Sequence, residues 1–426
     1  MPEYEEKTIN KLHARLSATD HSYFRFTFNL ITYLSEKFEN PFEITSRKKR
    51  MHWICKHLNK KKPGPHFKKD SNYILIATHE LSLTGAPIAA LKLAIVLTQI
   101  GFMPIIVSPT DGPLGKKLKD EKITYVVRSD AFKLKIKELK EFKYVFINTL
   151  LPIELIKTLN GTKIPTIWWI HEAKASYNTS NISNIDEMPA SLSNNILTVA
   201  VSDYAKNLLM QYRKNYEISI LRYYVPRHNC HGTKQSKSNN GKTIFCIIGT
   251  IDKRKNQKEL VAVIKDLPRA VVNSAEFIFV GYPADIETTQ SILELQKELP
   301  QSIQYVEQID PQQIGSIYER ADYLICTSID DPLPTVVAES FEHSKPAICS
   351  KNTGFTEIFN EYKCGYLYNN SKDDLKRCIY SALNQKEIYS EFQKNCYRAY
   401  TELFTKEVFE KNIIRILSEL NRKMQK

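Results

Sequence analysis

The sequence predicts an α/β protein with two doubly wound domains, and three observations support this fold class. Short apolar runs alternate with amphipathic helical stretches from about residue 72 onward, which is the rhythm of βαβ units. These runs are continuously apolar, as expected for parallel strands buried on both faces. A chain of 426 residues is too long for one ordinary core and suits two domains of about 150 residues each.

The first domain is assigned to residues 71–228. It follows a helical, basic extension over residues 1–70, which ends near the Lys-Pro-Gly-Pro breaker at residues 62–65. Amphipathic helices are predicted at residues 88–100 and 205–212. The predicted strands of this domain cover residues 73–78, 103–107, 124–127, 144–148, 166–170 and 197–201.

A polar stretch rich in Gly, Ser and Asn indicates a linker over residues 229–242, and the second domain is assigned to residues 243–399. The tail after residue 386 lacks Gly and Pro, so it is predicted to be helical throughout. The remaining predictions are strands at 243–248, 276–280, 303–306, 323–327 and 347–350, and helices at 257–267, 286–299, 311–320 and 335–343.

Several features favour a cytoplasmic protein. The amino-terminal residues lack the apolar segment of a secretory signal. The longest apolar zone, residues 88–107, is interrupted by Lys92, Gln99 and Gly101, so it indicates a helix followed by a strand and not a membrane span. The eight cysteines are scattered without a Cys-x-x-Cys pair, and we expect those in apolar runs to be reduced core residues.

The formal net charge of +13 is concentrated in residues 47–69, which contain ten Lys or Arg and no acidic residue. A solvated helix face with a linker would explain this run. Docking on an anionic lipid surface would explain it as well, since each basic residue contributes roughly 1 kcal/mol there. Nucleic acid is the weakest reading because no nucleic-acid-binding module accompanies the charge. The lipid reading places the protein on the inner face of the plasma membrane.

The most specific motif lies in residues 327–342. A predicted strand ends near Thr327, a loop carries Asp330 and Asp331, and a helix that begins near Thr335 carries Glu339. Both Asp331 and Glu339 can face the crevice above the strand ends, where carboxylates accept hydrogen bonds from a polyol. The backbone amides near Pro334 and Thr335 form a positive helix end that suits a phosphate.

This motif resembles the signature of the family 4 glycosyltransferases, which have the GT-B fold of two Rossmann-like domains facing across a cleft. Asp331 and Glu339 are separated by seven residues, and Ser344-Lys-Pro-Ala-Ile348 follows. The resemblance implies that Asp331 contacts hydroxyls of the donor sugar and that Glu339 binds the ribose of the nucleotide. Asp331 stands where the family usually has Glu. The resemblance covers about residues 72–385 and implies that residues 400–426 pack back on the first domain.

A second motif, residues 247–257, joins a predicted strand to a helix. Gly249 permits close approach of the backbone to a ligand, and Arg254 with Lys255 can neutralise a diphosphate leaving group. The family commonly has Arg where this chain has Thr250, so either one phosphate-binding cation is missing or Arg254 supplies that charge from another direction. Gly281, at another strand end, is expected to face the same cleft.

The acceptor side is assigned to strand ends of the first domain. Gly85 lies in the loop that resembles the family's glycine-containing loop, close to the donor phosphates and the acceptor. His171 follows the strand at 166–170, and in the family a histidine at such a position meets the donor sugar near the reacting centre; a structural histidine is the alternative. Asn148 and Thr149 are expected to line the acceptor side, and Ser202 resembles a Val-Ser element of the family.

Together these features predict a glycosyltransferase with Asp331, His171 and Lys255 as the catalytic residues, and the family resemblance implies that the anomeric configuration is retained. The donor is expected to be a nucleoside diphosphate sugar, of which UDP-sugars are the commonest case. The acceptor is expected to be a cell-surface glycan, a capsule-type polymer or a lipid-linked molecule. Neither a cofactor nor a metal is expected, because the first domain lacks an Asp-x-Asp strand end and the chain lacks a His/Cys cluster of metal spacing.

Two other readings stay open from the sequence. A catalytically silent protein of the same fold that binds a glycan or a partner is compatible with the replacements at Asp331 and Thr250. A GT-B epimerase or phosphorylase is the second alternative, although the paired acids favour transfer and no lysine motif for pyridoxal phosphate is recognisable.

Overall fold

Two parallel β-sheets flanked by helices make up the computed structural model of this protein, which describes residues 72–178, 187–227, 241–307 and 313–425. The predicted extension over residues 1–70, its basic segment over 47–69 and nearly all of the predicted linker lie outside the described residues. Residues 71–426 form one compact unit. None of the helices in the described part of the chain is both long enough and apolar enough to cross a lipid bilayer.

The first sheet has seven parallel strands in the order β3-β2-β1-β4-β5-β6-β7. Its central strands are buried along their whole length because helices cover both faces of the sheet. The strands are β1 (Tyr73–Ala77), β2 (Met103–Ser108), β3 (Thr124–Val127), β4 (Tyr144–Asn148), β5 (Thr166–Ile170), β6 (Ile196–Ala200) and β7 (Ile218–Ile220).

The helices of this half connect successive strands. The longest, α1, begins at Gly85 and so precedes the start near residue 88 expected from the apolar pattern. The helices are α1 (Gly85–Gln99), α2 (Leu114–Asp120), α3 (Ile136–Leu139), α4 (Ile153–Leu159), α5 (Lys174–Asn178) and α6 (Asp203–Tyr212).

The second sheet has six parallel strands in the order β10-β9-β8-β11-β12-β13. In its core, Phe245 stacks on Phe277 and Tyr323, and these rings pack against the helices Gln257–Asp266 and Lys372–Asn384. The strands are β8 (Thr243–Ile248), β9 (Ala275–Val280), β10 (Ile303–Val306), β11 (Tyr323–Cys326), β12 (Ala347–Ser350) and β13 (Gly365–Tyr368).

The helices of the second half complete the α/β layers. They are α7 (Gln257–Asp266), α8 (Arg269–Asn273), α9 (Ile286–Glu298), α10 (Ile314–Arg320), α11 (Thr335–Glu342), α12 (Thr356–Tyr362) and α13 (Lys372–Asn384), followed by α14 (Tyr389–Leu403) and α15 (Lys406–Met424).

The strand order of each sheet places a crevice at its carboxyl edge. In the first sheet the chain runs outward from β1 through β2 to β3 and then returns to β4 on the other side of β1. The second sheet does the same between β8 and β11. Loops after such neighbouring strands diverge and leave the crevice where ligands of doubly wound sheets bind. The motifs after β1, β4, β5, β8 and β11 therefore collect at two such edges.

The tail differs from the prediction of one helical stretch, because it breaks between α14 and α15. Thr405 is extended there, and its side-chain oxygen accepts the amide of Val408, which caps a new helix. The helix α15 then contacts the first sheet. Tyr144 Oη lies 2.8 Å from Asn421 Nδ2, and Ser219 Oγ donates to Glu419 Oε1 at 3.2 Å.

Candidate active site

A buried carboxylate between two cations lies at the carboxyl edge of the second sheet. Asp331, after β11, accepts hydrogen bonds at Oδ2 from Lys255 Nζ at 2.7 Å and from Arg254 Nη1 at 2.9 Å. Burial acts to raise the pKa of Asp331, but Lys255 and Arg254 outweigh it and leave the pKa below its usual value. The three side chains therefore stay ionised, with one more positive than negative charge.

The loop after β8 fixes Lys255 through its backbone. Gly249 has a φ of 141°, a conformation that favours glycine because it has no side chain. The amide of Lys255 donates to Asp252 Oδ1 at 2.6 Å, and Thr327 Oγ1 donates to the carbonyl of Lys255 at 2.6 Å. The amide and the carbonyl of Lys255 are thus both held, which fixes the position from which its side chain reaches Asp331.

Gly281 and Thr250 take part in this loop without presenting a side chain to the cluster. A Cβ on Gly281 would lie 1.9 Å from the carbonyl oxygen of Gly249, so glycine is required where the end of β9 meets the loop. The side chain of Thr250 is exposed, and its carbonyl accepts Gln257 Nε2 at 2.9 Å. Arg254, and not residue 250, carries the second positive charge of the cluster.

Glu339 projects from α11, the helix that follows Asp331. Tyr318 Oη, fully buried, donates to Glu339 Oε2 at 2.9 Å and so fixes the carboxylate. The cap residue of this helix, Pro334, gives no side-chain hydrogen bond to the first-turn amides, which start at Thr335. An unfilled helix start favours an anion. Glu339 also lies close to Lys92 of the first half. Burial lowers the pKa of Lys92 to about 8, and the negative charge of Glu339 opposes part of that decrease.

His171 follows β5 in the first half and is held neutral. Burial, with a smaller electrostatic contribution from the neighbouring His79, lowers the pKa of His171 to about 3. Its ring packs against Trp169 at 4.5 Å between ring centres, and its Nε2 is buried without a hydrogen-bond partner. A neutral imidazole at this strand end can bind a polar ligand group without the desolvation cost that an ionised imidazole would incur.

Glu172, the next residue, joins the loops after β4 and β5. Its carboxylate accepts the amide of Leu150 at 2.6 Å and the amide of His171 at 2.9 Å. Thr149, in the loop after β4, has a φ of 91°, which is strained for a β-branched residue. Strain retained beside a buried carboxylate indicates that this backbone is held for a purpose other than stability.

The loops after β1 and β4 are connected by Asn148. Its Nδ2 donates to the carbonyl of Ala86 in the first turn of α1 at 2.9 Å. Gly85, at the start of the same helix, has open space where a Cβ would stand, with no atom within 4 Å. The structure itself therefore does not demand glycine at position 85, and close approach of a ligand stays a prediction.

A second aspartate, Asp330, joins the two halves of the molecule. Its carboxylate accepts the amide of Lys174 at 2.8 Å, the amide of Ala175 at 2.7 Å and the hydroxyl of Tyr204 at 2.7 Å. All three donors belong to the first half, whereas Asp330 belongs to the β11–α11 loop. We call these four residues the interdomain latch, because their hydrogen bonds hold the loop with Asp331 against the first sheet.

The same loop is held at two further points. Ser202 Oγ donates to the carbonyl of Pro332, and Tyr223 Oη donates to the carbonyl of Leu333. A Cβ on Gly354 would lie 1.8 Å from the oxygen of Pro332 and 2.5 Å from Ser202 Oγ. Ser202 was singled out in the sequence as part of a Val-Ser element that resembles the family's, and the structure places it at this junction between the halves.

The structure brings together only some of the predicted site residues by direct contact. Arg254 and Lys255 both donate to Asp331, and Gly249 and Gly281 support the loop that carries the two cations. His171 and Thr149 adjoin the backbone amides that Glu172 binds. The side chain of Thr250 points outward. Sequence reasoning missed Asp330, Glu172 and Tyr318 as organising residues. Asp330 and Glu172 stand directly beside the predicted site residues Asp331 and His171, so their position in the sequence is the signal that could have identified them.

No cluster of three or more His, Cys, Asp or Glu that could hold a metal ion occurs within the described ranges of the chain. At the carboxyl edge of the second sheet, Lys255, Arg254 and the first-turn amides of α11 are able to bind an anion.

Two family models match this chain, and together they span both sheets. The model "Glycosyl transferases group 1" matches residues 233–399, and the model "Glycosyl-transferase family 4" matches residues 70–216. None of the curated proteins searched matches the chain.

Solved structures of similar fold cover both halves. HepE of Anabaena in complex with UDP-glucose has a TM-score of 0.64 and 14% identity, covering 81% of this chain and 99% of that one. A glycosyltransferase of Rickettsia africae has a TM-score of 0.63 and 18% identity, covering 82% and 99%. Sucrose-phosphate synthase of Thermosynechococcus elongatus has a TM-score of 0.61 and 16% identity, covering 82% and 99%. At these identities the likeness shows the fold.

Proposed function

Because the chain belongs to the group 1 glycosyltransferases, as its two family models and its GT-B fold show, we propose that it moves a sugar from a UDP-sugar with retention of anomeric configuration. The acceptor in this proposal is a cell-surface glycan, a polymer or a lipid-linked molecule. UDP is chosen because the similar HepE was solved with UDP-glucose, and TarM of S. aureus, with a TM-score of 0.50, was solved with UDP.

The observation that carries the proposal is the sharing of one carboxylate by two cations. Lys255 and Arg254 both bond to Oδ2 of Asp331, so the cluster has an excess positive charge that a diphosphate can neutralise. The first-turn amides of α11 add a second anion-binding element. Glu339, fixed by Tyr318, is placed farther along the same helix, where a carboxylate can accept both hydroxyls of a ribose.

Departure of the nucleoside diphosphate sets the chemical demand on the site. Negative charge grows on the leaving phosphate while positive charge grows on the sugar carbon, and preorganised cations lower the barrier for the first of these. Lys255 and Arg254 supply that charge in our proposal, so no metal is required. Among the described residues, Oδ1 of Asp331 accepts a single 3.3 Å bond, from the amide of Leu333, and in our proposal it is the oxygen offered to a sugar hydroxyl.

The acceptor attacks from the side of the first sheet. Retention in this family is expected to follow from attack on the face that the phosphate leaves, with the phosphate taking the proton of the acceptor hydroxyl. Neutral His171 lines the sugar position, and Asn148 with Thr149 lines the acceptor side. The basic run over residues 47–69 supports attachment to an anionic membrane on the cytoplasmic side, where polysaccharide or capsule acceptors would be met.

The test is a screen of purified protein for release of nucleoside diphosphate from UDP-, GDP- and ADP-sugars, with water or a glycan as acceptor. We expect turnover of a UDP-sugar that persists in excess chelator. Lys255→Ala should reduce it at least 100-fold, since removal of one preorganised charge typically costs about 3 kcal/mol. Lys258→Ala, which removes an exposed lysine three residues away, is the matched control. Equal activity in Lys255→Ala and the control, or an absolute need for a divalent ion, would refute the corresponding part of the proposal.

A further inference from the structure

Three of the buried polar atoms that have no hydrogen-bond partner in the described part of the chain lie at one sheet edge. They are His79 Nδ1, after β1, Asn148 Oδ1, at the end of β4, and His171 Nε2, after β5. The strands β1, β4 and β5 are neighbours in the first sheet. Buried polar atoms in native proteins are nearly always paired, so an unpaired group at one edge indicates a ligand that pairs with them.

The chemistry of two of these atoms is fixed by their surroundings. Asn148 uses its Nδ2 to donate to the carbonyl of Ala86, so its unpaired atom is the oxygen, an acceptor. In the neutral imidazole of His79, the proton is favoured on Nε2 because this atom faces Glu80 Oε1 at 3.6 Å, and Nδ1 is then an acceptor. Two neighbouring acceptors require two donors, and vicinal sugar hydroxyls provide them.

Glu80 is built to orient His79 and to stay ionised. Its Oε1 also accepts Ser82 Oγ at 2.5 Å and Thr84 Oγ1 at 3.3 Å, so the carboxylate is anchored within its own loop. Hydrogen bonding with His79, ahead of the opposing effect of burial, lowers the pKa of Glu80 to about 2. A permanent negative charge at this edge disfavours a phosphorylated or carboxylated ligand group beside it.

From this arrangement we infer that His79 and Asn148 bind two hydroxyls of a neutral sugar acceptor, with Glu80 positioning the His79 ring. Leu83 and Leu151, in the same two loops, are 51% and 41% exposed and offer apolar contact to the C–H face of a sugar ring. The inference rests on the proposed function and adds to it the chemical class of the acceptor group.

Hydroxyls of the donor sugar could also donate hydrogen bonds to His79 and Asn148, but the order of the strands favours assigning these two residues to the acceptor sugar. The latch residues Lys174 and Ala175 follow β5, so the Asp330–Asp331 loop meets the first sheet at that strand end. His79 follows β1, which is two strands away in the order β1-β4-β5, or about 10 Å at the usual strand spacing. When the donor sugar is held at Asp331 and His171, His79 is therefore placed to contact the sugar ring of the acceptor.

The experiment separates acceptor binding from donor use. Wild type saturated with UDP is examined by saturation-transfer NMR with a panel of neutral methyl glycosides, and with sugar 6-phosphates and glucuronides as anionic counterparts. Hydrolysis of the UDP-sugar by water is measured in parallel as the acceptor-independent activity. The variants are His79→Ala, Glu80→Gln and, as a matched control on the exposed surface of the same half, Glu154→Gln.

We expect at least one neutral glycoside to bind wild type and Glu154→Gln and to raise UDP release above hydrolysis. His79→Ala should weaken that glycoside at least tenfold and Glu80→Gln about fivefold, while hydrolysis stays within twofold. A parallel loss of hydrolysis would assign His79 to the donor sugar and overturn the inference. Equal binding of anionic counterparts, or binding by no neutral glycoside, would also overturn it. Absence of UDP-sugar hydrolysis and of UDP binding would instead refute the proposed function.

Discussion

Replacing Asp330 by Ala should open the molecule, because this residue alone accepts all three hydrogen bonds of the interdomain latch. Asp330 is 8% exposed, and the bonds of its carboxylate to Lys174 N, Ala175 N and Tyr204 Oη are 2.8, 2.7 and 2.7 Å long. A hydrogen bond to a charged group contributes about 1.5 kcal/mol at the lower end of measured values. Three such bonds give roughly 4 kcal/mol, which is about a thousandfold in the ratio of closed to open molecules.

The effect is measured by small-angle X-ray scattering of the full chain together with hydrolysis of the nucleotide sugar that the screen proposed above identifies. We expect Asp330→Ala to increase the radius of gyration and to reduce turnover at least 100-fold, since a closed cleft completes the site. Tyr204→Phe removes one bond of the three and should cost about tenfold. Asp373→Ala, an exposed aspartate on α13, is the matched control and should behave as wild type. Unchanged scattering and turnover within twofold for Asp330→Ala would refute the latch.

Three further predictions concern single residues. Burial lowers the pKa of Lys92 from 10.5 to about 8 in the folded protein. Between pH 8 and pH 10.5 the unfolded state therefore binds more protons than the folded state, so the free energy of unfolding rises with pH in this range. Chemical unfolding at pH 7 and 10.5 should therefore show wild type gaining up to about 3 kcal/mol relative to Lys92→Met, and a pH-independent difference would contradict the burial of Lys92. Thr149→Gly should raise the free energy of unfolding by about 1 kcal/mol through relief of strain at a φ of 91°, yet lower transfer; a loss of stability would show that the strain is absent. Gly281→Ala should cost roughly 2–4 kcal/mol by thermal unfolding because its Cβ meets the Gly249 carbonyl, whereas Gly85→Ala should stay within about 0.5 kcal/mol, and the reverse order would contradict the packing described.

The parallel sheets and the placement of the motifs were predictable from the sequence, for physical reasons. Continuous apolar runs such as those of β1, β4 and β5 occur only where both faces of a strand are buried. Residues that directly follow such strands must then lie at the carboxyl edge of the sheet, which located His171, Asn148 and Asp331 correctly along the chain. The family comparisons confirm the predicted fold and the predicted enzyme class.

Short edge strands were not predictable in the same way. The strand β7 contains three residues, and β13 begins with Gly365 and contains two tyrosines, so neither has an apolar run long enough to stand out. The break of the tail at Thr405 was missed because its cap depends on an extended backbone at one residue that the flanking helical composition conceals.

The division of work between the two adjacent aspartates required coordinates. Side chains of consecutive loop residues point in directions set by the local backbone, so composition could not tell that Asp330 holds the first half while Asp331 holds the two cations. Glu172 was hidden for the same reason, since its role depends on reaching the amide of Leu150 from the next strand end. Whether the predicted residues act in catalysis stays a prediction that the experiments above address.

The central claim is that Lys255 and Arg254 take the diphosphate of the donor, and titration calorimetry of UDP against UMP tests it most directly. In wild type we expect UDP to bind at least 30-fold more tightly than UMP, because the additional phosphate meets both cations. In Lys255→Ala and Arg254→Ala this preference should shrink several-fold, with UMP affinity nearly unchanged. A wild type that does not distinguish UDP from UMP, or a preference that survives both substitutions, would contradict the account.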